Sequence, residues 1–242
     1  MRPVQQRLEA EALLAAGVSL SETSRRTGIP FSTLRGWKTG RIRPLPEPVF
    51  ADPPPDAYAY LLGAYLGDGD ITRGRRNVYR LTISLDKQHG EIVNRCAVTM
   101  HDVMPMSRVL VQPHPRHRLT RVSAYSKRWP QLFPQHGPGR KHERRIALDR
   151  WQRDIVEAEP RQFIRGLIET DGCRATNTIR HAKRTYRYPR YQFSNKSQDI
   201  KDLFGWACDL VGVEWRVMNS MNISVARRES VALLDEFVGP KR

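Results

Sequence analysis

The sequence predicts an α+β fold, a duplicated core of helices and strands preceded by a small all-α unit. Three observations lead there. Leu61-Leu62-Gly63-Ala64-Tyr65-Leu66-Gly67-Asp68-Gly69 and Ile164-Arg165-Gly166-Leu167-Ile168-Glu169-Thr170-Asp171-Gly172 share one plan, an apolar helix with small residues on one face that ends in Asp-Gly, and they lie 103 residues apart from Asp68 to Asp171. The elements that follow each stretch come in the same order and close on similar basic tags. The first 40 residues carry helical periodicity only and are set off by a proline-rich stretch.

Composition bounds the partners. The chain has 242 residues, 39% of them apolar, enough for one substantial core and a small appendage. Lys and Arg number 41 against 25 acids, a formal charge of +16, which makes nucleic acid or another polyanion the expected partner. The basic residues interrupt periodic segments, as in Arg73-Gly74-Arg75-Arg76, and so describe a folded basic face better than a disordered arm. No stretch approaches a membrane span, and the amino end lacks a signal-type apolar block. A cytoplasmic protein, nucleoid-associated when bound to DNA, is expected. Cys96, Cys173 and Cys208 have neither paired spacing nor even number, so unpaired thiols and no structural zinc are expected.

In the amino-terminal part, Val4, Leu8, Ala12 and Ala15 recur at helical spacing, and Gly17 is placed to end that helix. Ser19 and Glu22 have capping-box spacing for a short second helix that stops near Thr27-Gly28. A third helix from Pro30 or Phe31 buries Leu34 and Trp37, turns Ser32, Thr33, Arg35 and Lys38 outward, and ends at Gly40. Residues 4 to 40 resemble the helix-turn-helix family of DNA-binding domains, in the short three-helix form of resolvases and transposase-like proteins. That resemblance implies a third helix in the major groove, with Ser32, Thr33, Arg35 and Lys38 contacting bases or phosphates. An ordinary three-helix protein-interaction unit shows the same turns. Residues 41–55, with Pro44, Pro46, Pro48, Pro53, Pro54 and Pro55, read as an extended linker.

The remainder, 56–242, reads as two diverged halves, about 56–145 and 156–242. In the first, Leu81 to Leu85 reads as a strand before a helix around Gly90 to His101; in the second, Tyr191 to Asn195 precedes a helix around Ser197 to Leu210. Arg118 to Ser123 then corresponds to Met221 to Ala226, and Gly137-Pro138-Gly139-Arg140-Lys141 to Gly239-Pro240-Lys241-Arg242. Strands that alternate apolar and basic residues put one face on helices and offer the other to DNA. The candidate contacts are Arg73, Arg75, Arg76, Arg180, Lys183, Arg184, Arg187 and Arg190, with Arg174 in the same cluster and Lys196 at the start of a helix. Trp129, Trp151, Trp206 and Trp215 read as packing residues.

Asp56 is placed to cap the first Asp-Gly helix, and Pro160 suits the first turn of the second. Gly63 with Gly67, and Gly166 with Thr170, leave a strip without bulky side chains on each helix, so two such helices can approach closely. Both stretches resemble the motifs of the LAGLIDADG homing endonuclease family in its single-chain, two-motif form, over residues 56 to 242. The resemblance implies a pseudo-twofold αββαββα duplication, with the motif helices as the central pair and two antiparallel β saddles over DNA. It also implies that Asp68 and Asp171 are metal ligands at the scissile phosphates, and that Lys141 and Lys241 match the position of an active-site lysine. Paired carboxylates suit magnesium, or manganese, because both accept oxygen ligands and polarise phosphate. The sixth motif position is Leu66 in one half and Glu169 in the other, which makes the half-sites unequal, and Asp70 is a further acidic neighbour.

The activity expected is that of a site-specific, divalent-metal-dependent endonuclease of double-stranded DNA, homing in type, monomeric and without an obligate protein partner. The chain starts at Met1 and ends at Lys241-Arg242 without the His-Asn pair of a splice junction, so an independent gene is expected. The alternative is a DNA-binding transcriptional regulator built on the same fold without cleavage. A nonspecific nucleoid or RNA-binding protein is a third reading.

Overall fold

The computed structural model describes residues 4–40, 52–181 and 184–241. Two compact units result, Met1–Asp52 and Pro53–Arg242. In the first, α1 (Val4–Ala15), α2 (Leu20–Thr27) and α3 (Phe31–Lys38) close on Ala10, Ile29 and Leu34, with Leu14, Leu20 and Trp37 packed against them. The inward face of α1 is not the expected stripe, because Leu8 is 53% exposed and Ala12 and Ala15 face water. Apolar residues lie on more than one face of this helix, and only the docking of α2 and α3 selects Ala10 and Leu14. Half of the capping box forms: Ser19 Oγ accepts from the Glu22 amide at 3.2 Å, while the Glu22 carboxylate turns to Arg25 and Arg26 instead. Gly28 ends α2 at φ 65, in the left-handed region that glycine occupies without strain.

The second unit repeats one sequence of elements. Its first half runs α4 (Pro55–Asp68), β1 (Gly69–Arg73), β2 (Tyr79–Asp86), α5 (Gly90–Val103), β3 (Val109–Pro113), β4 (Leu119–Ser126) and α6 (Trp129–Leu132). A connecting helix α7 (Arg150–Ala158) leads into α8 (Pro160–Asp171), β5 (Gly172–His181), β6 (Arg184–Ser194), α9 (Gln198–Leu210), β7 (Arg216–Val217), β8 (Asn222–Val225) and α10 (Arg228–Phe237). Each half is therefore αββαββα. The sheets are antiparallel with matching orders, β1-β2-β4-β3 and β5-β6-β8-β7. Register matches too, since Gly69 faces Ile83 and Ile83 faces Val122, while Gly172 faces Phe193 and Phe193 faces Ile223.

Strand alternation sets the two faces of each sheet. Leu81, Ile83, Leu85, Val122 and Ala124 in the first sheet, and Tyr191, Phe193, Ile223 and Val225 in the second, are buried against the helices. Cys96 and Cys208 lie in the same core, where burial pushes their thiols up, while Cys173 is exposed. Trp129 is fully buried; Trp151 is 38% exposed, with its ring tilted onto Tyr58. Among the described residues no helix is long and apolar enough to cross a membrane.

The central contact is α4 against α8. A Cβ at Gly63 would sit 2.3 Å from the Phe163 carbonyl oxygen, and one at Gly166 would sit 2.2 Å from that of Tyr60. Backbone meets backbone here, which explains why both helices accept a glycine that costs roughly 1 kcal/mol in propensity. Asp56 does not cap α4: Pro54 takes the cap position and Pro55 the first turn, so Asp56 falls inside that turn and complements the helix dipole. Pro160 occupies the first turn of α8 as expected.

Candidate active site

Asp68 and Asp171 are the last residues of α4 and α8, so the close crossing of the two helices brings both carboxylates to one end of the pair. Lys141 opens a short 3-10 turn, Lys141–Glu143, and donates from Nζ to the carbonyl oxygens of Tyr65, Leu66 and Gly67 at 2.6, 2.8 and 2.5 Å. Lys241 Nζ donates to the Thr170 carbonyl at 3.1 Å. Each closing tag thus returns a lysine to the carboxyl end of its own motif helix, where unpaired carbonyls and the negative dipole end favour a cation.

The four groups act on one another. Burial raises the Asp68 carboxyl above the usual range, against the pull of Lys141 and Lys241. Asp171 is pushed up to about 6, first by burial and then by the charge of Asp68, while Asn195 and both lysines oppose the shift. Burial brings Lys141 down to about 8, with Asp171 and Asp68 acting to hold its proton, and burial lowers Lys241 as well. Two carboxylates that resist ionisation side by side form a site that a cation stabilises.

A cleft of about 490 Å3 opens beside them, lined by Gly67, Asp70, Lys141, Asp171, Asn195 and Lys196 among others. His136 and His142 also reach it. Asn195, which sequence reasoning passed over, donates from Nδ2 to Asp171 Oδ2 at 2.6 Å while its Oδ1 accepts from the Ser197 amide at 2.8 Å. The shared register places Leu85 at the matching position of the first half, so Asp68 has no such partner there. A polar residue at the end of the second strand, just before a helix cap, was the available signal.

Glu169 and Leu66 are also unequal. Glu169 is buried, accepts from Tyr60 Oη at 2.6 Å and lies 3.3 and 3.6 Å from Arg95 and Arg165, whereas Leu66 packs in the core. Glu169 thus ties α4, α5 and α8 together.

The basic candidates divide. Arg73, Arg75 and Arg76 are exposed at the turn between β1 and β2, where Arg73 donates to Asn77 Oδ1 at 2.6 Å. Arg184 and Arg187 are exposed on β6, and Arg190 is half-buried. Arg174 is removed from the phosphate-binding cluster: it makes a bidentate pair with Asp235 of α10 at 2.7 and 2.8 Å, and Tyr191 Oη joins the same carboxylate at 2.6 Å. Pleating turns its side chain to the face of Tyr191, its cross-strand partner. Lys183 and the side chain of Arg180 lie outside the described residues. On α3, in the smaller unit, Ser32, Arg35 and Lys38 are exposed and Thr33 is half-buried.

No protein-family model and no curated protein matches the chain. Solved structures do. Mesophilic variants of the homing endonuclease I-DmoI align at a TM-score of 0.50 and 15% identity, over 76% of this chain and 96% of theirs. The chain shares its fold with I-DmoI. I-DmoI in complex with DNA and Mn gives the same TM-score and identity over 76% and 97%. The N-terminal LAGLIDADG domain of DUF199/WhiA aligns at 0.47 and 12% identity, over 81% and 86%. The duplicated αββαββα architecture expected from the paired motifs is the one adopted.

Proposed function

We propose that this chain is a site-specific, divalent-metal-dependent endonuclease of double-stranded DNA. The observation that carries this reading is the convergence of Asp68 and Asp171, each with a raised carboxyl, beneath two lysine-capped helix ends in a chain of charge +16. I-DmoI, which has the same fold, was solved with DNA and Mn.

The residues fit a hard divalent ion. Among the described residues no three His, Cys, Asp or Glu side chains cluster to hold an ion by themselves. Two carboxylates with the remaining positions left to phosphate and water suit magnesium or manganese. When bound, such an ion supplies charge neutralisation at phosphorus. Asp68 and Asp171 hold it, and Asn195 fixes the Asp171 carboxylate. Lys141 and Lys241 place positive charge beside the phosphate, while Lys196 at the cleft rim and Arg73, Arg75, Arg76, Arg184, Arg187 and Arg190 engage the backbone. The three-helix unit acts as a second DNA reader through Ser32, Thr33, Arg35 and Lys38.

One observation favours a binding-only regulator on the same fold: all three Lys141 donors are spent on helix carbonyls. The two readings separate when the protein is incubated with sheared genomic DNA in magnesium or calcium, and bound fragments and new ends are mapped. Paired magnesium-dependent breaks at an enriched locus support the endonuclease. Enrichment by folded protein without new ends favours the regulator.

A further inference from the structure

The two halves share register but present hairpins of unequal reach. β1 pairs with β2 over five residue pairs, out to Arg73 and Tyr79, whereas β5 pairs with β6 over ten, out to His181 and Arg184. β4 accompanies β2 along its whole length, from Tyr79 to Asp86. β8 meets β6 only from Tyr191 to Ser194. Arg184 to Arg190 therefore belong to a two-stranded ribbon that outruns its sheet.

The ribbon is built for a polyanion. From Gly172 to Ser194 there is no Asp or Glu. Tyr186, Tyr188 and Arg190 share the face opposite the buried Tyr191 and Phe193, turned away from the helices. The two tyrosines stay 39% and 48% exposed and stack within 11° at 6.3 Å, with Arg184 exposed on the same face and Arg187 exposed on the other. At the ribbon root, Arg190 Nε and Ser224 Oγ are buried without a hydrogen-bond partner, beside a pocket of about 430 Å3 that Arg216 also lines. A buried donor without an acceptor is costly, and an incoming acceptor removes that cost.

We propose that the DNA site is unequal in length, with the β5–β6 ribbon lying in the major groove of a duplex arm that the first half's hairpin has no counterpart to cover. The inference rests on the reading of this chain as a double-stranded-DNA-binding protein. A two-stranded ribbon is of a size that the major groove admits. The first hairpin closes one step beyond Arg73 and Tyr79, where the Gly74 amide donates to the Val78 carbonyl, so four extra residue pairs at about 3.4 Å each reach about 14 Å further, the length of about four base pairs. Arg190 and Ser224 supply donors at the inner end of that arm, and Tyr186 and Tyr188 cover its outer part.

The test uses the full chain and duplexes it selects, in calcium, from a random-core library, trimmed by exonuclease from each end. The expected result is two protected arms that differ by about four base pairs. Tyr186→Ala with Tyr188→Ala shortens only the long arm and weakens binding roughly tenfold on duplexes that contain it, with no change on duplexes trimmed of it. A second variant, Arg184→Ala with Arg187→Ala, alters only exposed side chains and gives the same one-sided loss. Equal arms, or unequal arms that neither variant changes, overturn the inference while DNA binding stands. Failure of the unaltered chain to select any duplex overturns the DNA-binding reading, and this one with it.

Discussion

The carboxylates of Asp68 and Asp171 are held where ionisation is costly, because burial and, at Asp171, the neighbouring charge both oppose it. Replacing both with Asn removes the repulsion without changing shape. DNA cutting should be lost while calcium-supported binding persists, as an electrophoretic shift beside a cleavage assay will show; loss of both together would remove the ligand assignment. Asn195→Ala frees the Asp171 carboxylate, whereas Asp68 has no corresponding partner to lose. Nicked circles should therefore accumulate on a plasmid substrate, and equal slowing of both strands would argue against a one-sided role.

At the scale of elements, the α4–α8 crossing depends on two missing side chains. Gly63→Ala and Gly166→Ala each drive a Cβ into a facing carbonyl, which should cost about 1–3 kcal/mol or more in urea denaturation. Gly90→Ala, where nothing lies within 4 Å, serves as the neutral control. The Arg174–Asp235 pair joins β5 to α10, and the guanidinium holds the Asp235 carboxyl below the usual range. A lowered carboxyl contributes stability that is present above its unfolded pKa and lost as pH falls through the folded value. The destabilisation caused by Arg174→Ala should accordingly be measurable at pH 7 and fade as melting is followed toward pH 3; a constant difference would mean that the pair works through packing. Element order and the strands β2, β4, β8 and the inner end of β6 were legible from periodicity and the repeat, whereas β1, β3, β5 and β7 were not placed individually. Two further features were not legible. Helical spacing on α1 fitted more than one face, and proline at the start of α4 displaced Asp56 from the cap.

For the whole molecule, the larger unit has its own core and the smaller one a core of three buried residues, Ala10, Ile29 and Leu34. Removing residues 1–52 should leave the main thermal transition of 53–242 in place. Because the three-helix unit is proposed to bind phosphates, the salt dependence of DNA binding should become shallower, by about 0.9 in log–log slope for each phosphate that the shortened chain no longer neutralises. An unchanged slope would mean that the unit serves a partner other than DNA. The sequence by itself determined that the core is a duplication, which helices pair, and which two carboxylates and two lysines recur, because those features are local patterns stated twice. Only the tertiary structure decided what each cation does. Arg174 is spent on Asp235, Lys141 on three carbonyls, and Arg190 is left without an acceptor at Nε. Charge is written in the sequence, whereas the partner that neutralises it is chosen by packing between segments far apart in the chain.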